Sequence, residues 1–206
     1  MHPNPIFRKA DDQRIIDFAR DRAFGALSIN GDHGPLIAHI PFQLSANGTH
    51  LEAHVVRSNP LYRALINSMP AVMAVSGGDG YVSPDWYGVN DQVPTWNYVA
   101  VHLRGTLRRL PEADLHGVLE RLSDDMERRL LPKPIWKMDK VSDDALQKML
   151  RQIVPIAMDV DDLDGTWKLG QNKPTQARVD AAGAMSRNGF GLGYDLVAGL
   201  MQDPPV

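Results

Sequence analysis

The stretch from residue 24 to residue 56 constrains the fold more than any other part of the chain. Two apolar runs, Phe24-Gly25-Ala26-Leu27-Ser28-Ile29 and Leu36-Ile37-Ala38-His39-Ile40-Pro41-Phe42, flank Asn30-Gly31-Asp32-His33-Gly34. The connector is made of residues that accept positive φ in tight turns, so the two runs form a hairpin. A second turn, Ser45-Ala46-Asn47-Gly48, leads into a third strand over residues 49–56. Connections this short cannot contain the crossover that parallel strands require. The pattern therefore predicts a meander that continues into an antiparallel barrel or sheet, not a doubly wound fold.

The remaining elements fit around that meander. Residues 11–22 carry Ile15, Ile16, Phe18 and Ala19 at helical spacing, with Asp11 or Asp12 as the cap. Ser58-Asn59-Pro60 starts a short helix reaching about residue 67, because proline suits the first helical turn. Residues 71–75 read as a buried strand, residues 77–80 as a glycine-rich break, and residues 81–83 as another short strand. Over residues 99–108 apolar and polar side chains alternate, which describes a strand with one wet face. Residues 112–130 and 142–153 have helical periodicity and are separated by Leu131-Pro132-Lys133-Pro134; a last strand follows over 154–160 and a helix over 175–187. The expected product is an α+β chain of six or seven strands with peripheral helices. It forms one domain over residues 1–206, with a helical insertion at about 112–152 and a glycine-rich tail from about 188.

Composition removes whole classes of function. A chain of 206 residues supports one sizeable core. Without cysteine it has no disulfide, thiolate nucleophile, zinc-thiolate site or iron–sulfur cluster. The net charge of −3 lacks the broad basic footprint of a nucleic-acid-binding surface, so DNA enters as a partner only through a local patch. No apolar run approaches the roughly 20 residues that span a bilayer, and no signal-peptide stretch opens the chain. A cytoplasmic protein without a membrane partner is the expectation.

Three constellations carry candidate chemistry. In Arg57-Ser58-Asn59-Pro60 a strand ends and a helix begins, which gathers free N–H groups beside a guanidinium suited to an anionic phosphate. A capped helix with an exposed arginine explains the same four residues. Val93-Pro94-Thr95-Trp96-Asn97-Tyr98 joins aromatics to a hydroxyl and a carboxamide ahead of a strand, apt for edging a planar ring or for plugging the end of a barrel. Trp167-Lys168-Leu169-Gly170-Gln171-Asn172-Lys173 is polar and cationic around one tryptophan, and equally describes a solvated connector. His50 and His54 share a strand face, but positions four apart on a strand lie roughly 13 Å from one another, too far to share a metal ion. His39, His54 and His102 each remain candidates for a single axial ligand. No nucleophile motif, Walker loop or dinucleotide fingerprint occurs, so the chain either binds without turnover or leaves the chemistry to a cofactor.

In their order along the chain these motifs resemble the PaiB family of FMN-binding negative transcriptional regulators. The resemblance rests on Ala38-His39-Ile40-Pro41-Phe42, His54-Val55-Val56-Arg57-Ser58-Asn59-Pro60, Tyr81-Val82-Ser83-Pro84-Asp85-Trp86-Tyr87, Val93 through His102, and Trp167-Lys168-Leu169-Gly170-Gln171-Asn172. It implies an antiparallel split β-barrel of the pyridoxamine-phosphate-oxidase-like kind, a homodimer with FMN at the subunit interface. Arg57, Ser58 and Asn59 would hold the phosphate. His39, Ile40, Pro41 and Phe42 would line the isoalloxazine through backbone groups, with His54 counted among the cofactor-binding positions. Thr95, Trp96 and Asn97 would frame the pocket, and Lys168, Gln171 and Asn172 would reach across from the partner. Gly170 departs from the serine expected there. Two other functions stay open: an FMN-dependent oxidoreductase and a haem-binding split-barrel protein. No catalytic residue and no metal site is assigned.

Overall fold

The hairpin forms where the turn chemistry puts it. In the computed structural model, which describes residues 1–205, β1 (Phe24–Gly31) pairs antiparallel with β2 (Gly34–Leu44), and Gly31 stands opposite Gly34. Asn47 fixes the next turn: its side-chain oxygen accepts from the Ser45 hydroxyl at 2.7 Å and the Thr49 hydroxyl at 2.9 Å, and β3 (His50–Val56) follows. Along these strands Leu27, Ile29, Ile40, Phe42, Leu51 and Val55 are buried, and their sequence neighbours turn outward.

The sheet is completed by β4 (Met69–Val82), β5 (Thr95–Arg109) and β6 (Ile153–Lys168), and closes into a barrel in the order β1-β2-β3-β6-β5-β4. The pairs β1–β2, β1–β4, β2–β3 and β3–β6 are antiparallel. With the helices α1 (Asp12–Arg22), α2 (Pro60–Ala64), α3 (Leu115–Arg128), α4 (Asp143–Leu150), α5 (Thr175–Asn188) and α6 (Tyr194–Gln202), this is the α+β architecture expected.

Several boundaries differ from the sequence reading. Residues 77–80 are not a break: β4 runs unbroken from Met69 to Val82. The tail explains its glycines, since the Asp79 N–H donates to the Leu192 carbonyl at 2.9 Å and the Tyr81 N–H to the Phe190 carbonyl at 3.1 Å. A Cβ on Gly78 would lie 2.8 Å from the Gly193 oxygen, and one on Gly191 would lie 2.5 Å from the Asp79 oxygen. These glycines admit a second backbone at van der Waals distance. The tail is therefore ordered against β4 and continues into α6, which the glycine-rich sequence concealed. β5 begins at Thr95, so Thr95, Trp96 and Asn97 belong to the strand, not to a loop before it. β6 extends through its aspartates to Lys168, and α2 stops at Ala64.

Two compact units are distinguished along the chain. One comprises Ile16–Ala74 and Leu103–Leu163. Its interior holds Leu27, Phe42, Leu51, Met73, Leu103 and Ile156, each removed from water at a gain of roughly 1.5–3 kcal/mol. Here α3 turns its buried Leu115, Val118 and Leu122 inward and packs on β3 and β2, while Arg121 Nε donates to Glu52 Oε2 at 2.9 Å. The other comprises Met1–Ile15, Val75–His102 and the chain from Asp164 onward. In it α5 and α6 pack together, burying Ala181, Ala182 and Met185 along with Val197, Ala198 and Met201.

Candidate functional site

The candidate residues fall into one group in each unit. The first is built where β3 ends. The Asn59 N–H donates to the Val56 carbonyl at 2.8 Å, and its side-chain oxygen accepts from the Leu61 N–H at 2.9 Å, which makes Asn59 the cap of α2. Its side-chain oxygen is thereby committed to the helix cap. Arg57 is held by the chain after α4: its N–H donates to the Gln152 carbonyl at 2.8 Å and its Nε to the Arg151 carbonyl at 3.1 Å. Its Nη1 donates to Glu112 Oε1 at 2.6 Å, and this bond and charge hold the Glu112 carboxyl below the usual carboxylate range. Val56, Arg57, Ser58, Arg63, Arg151 and Gln152 line an open cleft of about 590 Å³. On α2, Tyr62 is held by Arg109, which donates to its carbonyl at 2.7 Å with the guanidinium 4.1 Å above its ring.

The β2 motif lies in the same unit. Ile40 and Phe42 face the core and are buried, so only His39, exposed, and Pro41, half-buried, offer side chains outward. The β2–β3 ladder runs from Phe42 opposite Ala53 to Leu44 opposite Leu51 and stops before Pro41, which has no N–H to give. On β3, His54 is half-buried; its Nδ1 is enclosed without a hydrogen-bond partner, and burial pushes its pKa down. His50 is committed elsewhere, with Nδ1 3.0 Å from Asp159 Oδ1.

The second group lines a cavity of about 260 Å³, shared by Thr95, Asn97, Lys168 and Asn172 with His2, Tyr87 and Lys173. Lys168 donates to the Thr95 hydroxyl and the Trp96 carbonyl. Burial, and then the charge of Lys173, lower its pKa. Lys173 donates to Gln92 and sits 5.4 Å over the Tyr87 ring. Asn97 is only 1% exposed; its Nδ2 donates weakly to Met201 Sδ at 3.3 Å, and it hydrogen-bonds the Tyr87 phenol, whose pKa burial raises.

Three further candidates in this unit have contacts of their own. Trp96 faces away from the cavity, into an exposed cluster with Tyr81 at 6.1 Å and Phe190 at 5.6 Å between ring centroids. Gln171 spends both ends of its amide on its own turn, accepting from the Leu169 N–H at 2.8 Å and donating to the Trp167 carbonyl at 2.6 Å. Lys168 is held by the Thr95 hydroxyl at the start of β5. Gly170 is explained by its φ of 82°, a left-handed conformation that glycine adopts without strain and serine does not.

The cleft at Arg57 has the donor chemistry for a phosphomonoester: three guanidiniums, a hydroxyl and a backbone turn at one surface. Arg63 follows Pro60 by three positions on the same short helix, a spacing visible in the sequence. Arg151 and Glu112 are distant in sequence and left no local sign.

Comparison with known proteins agrees with this chemistry. The family described as "Putative FMN-binding domain" matches residues 1–162. The chain belongs to this FMN-binding family. It is 27% identical over 175 residues to the protease synthase and sporulation protein PAI 2 of Bacillus subtilis, covering 84% of this chain and 83% of that protein. An uncharacterized protein of Saccharomyces cerevisiae is 33% identical over 107 residues, which cover 48% of this chain and 63% of that one. Among solved structures, an FAD and heme binding protein from Mycobacterium smegmatis superposes with a TM-score of 0.58 at 19% identity, covering 90% of this chain and 82% of that one. A flavocytochrome from Azotobacter vinelandii gives 0.54 at 17% identity over 77% and 68% of the two chains. These last two likenesses establish the split-barrel fold. As a PaiB-like member of the FMN-binding family, the chain has FMN as its cofactor. Among the described residues no helix is long and apolar enough to cross a membrane.

Proposed function

We propose that this chain is a single flavin-binding domain that works as a cytoplasmic homodimer of the PaiB type and acts as a negative regulator of transcription. Arg57 and Ser58 anchor the FMN phosphate, the β2 segment from His39 to Phe42 and His54 border the ring system, and Lys168 and Asn172, with Thr95 and Asn97 beside them, supply polar groups from the partner subunit. The observation that carries this reading is the cleft at Arg57, where arginine side chains and the Ser58 hydroxyl meet just beyond the exit of β3. The relative from Bacillus subtilis, named a protease synthase and sporulation protein, is consistent with a role in controlling expression. When bound, FMN supplies one- and two-electron chemistry; the protein's part is to bind and orient it.

Arg57→Ala is expected to weaken FMN binding by roughly 1.5–3 kcal/mol, the worth of a hydrogen bond to a charged group. Quenching of flavin fluorescence on titration reads this directly, and an unchanged affinity would remove Arg57 from the phosphate site. Regulator and oxidoreductase separate in one further comparison. Salt-sensitive retention of a promoter fragment supports the first, whereas steady NAD(P)H consumption by the FMN-loaded protein supports the second.

A further inference from the structure

We propose that Glu112 is a resident counter-anion of the phosphate cleft, and that Arg63 and Arg151 are its further phosphate ligands, so that FMN binds by displacing one carboxylate from a three-arginine site. The inference rests on the reading that Arg57 holds the phosphate. Arg57 is fixed along one edge by the Arg151 carbonyl at 3.1 Å, which orients the guanidinium and leaves its other edge to an anion. Glu112 Oε1 takes Nη1 of that edge at 2.6 Å. Nothing else secures the Glu112 side chain: it is 65% exposed and follows directly on Pro111, at the entry to the helical segment. An exposed ion pair of this kind is worth little and is readily exchanged.

The charges around the cleft point to what replaces it. Among the described residues neither Arg63 nor Arg151 has an acidic partner, and both line the cleft with Arg57. Three arginines against Glu112 leave a local surplus of two positive charges. A phosphomonoester carries close to two negative charges at neutral pH and presents three acceptor oxygens. Once Glu112 leaves, it meets all three guanidiniums and the Ser58 hydroxyl together, which a single carboxylate cannot do. The planar fork of arginine suits this acceptor set better than a point charge would. Glu112 thus keeps the Arg57 fork occupied while the cleft lacks phosphate, at a cost to phosphate binding no greater than the small worth of the exposed pair.

The test is a fluorescence titration of FMN, and of riboflavin as the phosphate-free probe, against the full chain and four variants. Glu112→Gln should tighten FMN about two- to five-fold, the range expected for removal of a competing surface ion pair, and leave riboflavin unchanged. Arg63→Gln and Arg151→Gln should each weaken FMN several-fold, again with riboflavin unaffected. Thermal unfolding of each variant identifies any that fail to fold, and for those the Lys replacement is titrated instead. If Arg57→Ala weakens FMN while Glu112→Gln leaves it unchanged or weakens it, Glu112 is not a competitor and the inference falls. If Arg57→Ala has no effect, the underlying phosphate assignment falls first. If Glu112→Gln shifts FMN and riboflavin alike, the effect is structural and the inference is overturned.

Discussion

His54 illustrates how one side chain ties the site to stability. Its Nδ1 is enclosed without a partner, and burial lowers its pKa from an ordinary value of 6.5, so the folded chain favours the neutral ring. Above pH 6.5 the ring is neutral whether the chain is folded or not, and the full stability is present. As pH falls through that value the unfolded chain takes up a proton that the folded chain resists, and stability declines until the lower folded value is passed. Urea midpoints at about pH 7.5 and 5.5 should therefore drop less in His54→Leu than in the parent chain; an equal drop would assign the acid sensitivity elsewhere. At Gly170 the cost of a side chain is conformational, because a Cβ there meets nothing closer than Arg178 Cγ at 3.4 Å. Gly170→Ala should lower stability by about 1 kcal/mol, measured as the fall in thermal midpoint. The sequence marked Arg57 and Ser58 because strand end, cap and proline are contiguous. It could not mark Arg151 or Glu112, whose proximity to Arg57 depends on strands closing into a barrel.

Among the elements, β4 and the segment after α5 depend on one another. The tail's backbone comes closest to β4 where side chains are missing, at Gly78 and at Gly191, whose φ is 133°. Gly191→Ala would set a Cβ 2.5 Å from the Asp79 oxygen and forbid the approach. The expected result is loss of protection over residues 189–202 in hydrogen exchange, together with faster proteolytic cleavage there; retained protection would mean that α6 alone holds the tail. This pair also explains what the sequence concealed. Glycine reads locally as a turn, and its use as a strand surface is visible only when the partner backbone is present. The hairpin β1–β2, the capped α1 and the amphipathic α3 were legible because each is specified by neighbouring residues. β6 is longer than its pattern suggests because Asp159, Asp161 and Asp162 interrupt the apolar run; all three are exposed, and Asp159 pairs with His50 and Arg108.

For the whole molecule, ligand and fold are linked by mass action. FMN at about 100 times its Kd should add about 2.7 kcal/mol, raising the thermal midpoint by several degrees, and riboflavin at equal concentration should add less because it lacks the phosphate. Differential scanning fluorimetry decides the point, and equal shifts would argue against an anionic anchor. The partition of the chain has a further bearing on biosynthesis. The unit of Ile16–Ala74 and Leu103–Leu163 is complete once Leu163 has left the ribosome, whereas the other combines the first fifteen residues with a segment that begins at Asp164. At about 5–20 residues per second the N-terminal portion waits roughly 7–30 s for its partner segment to be translated. Premature termination at about Leu163 should therefore release a nascent product whose first residues lack the Asp164 carboxylate and the Thr166 hydroxyl that Arg8 and the His2 N–H engage in the finished chain.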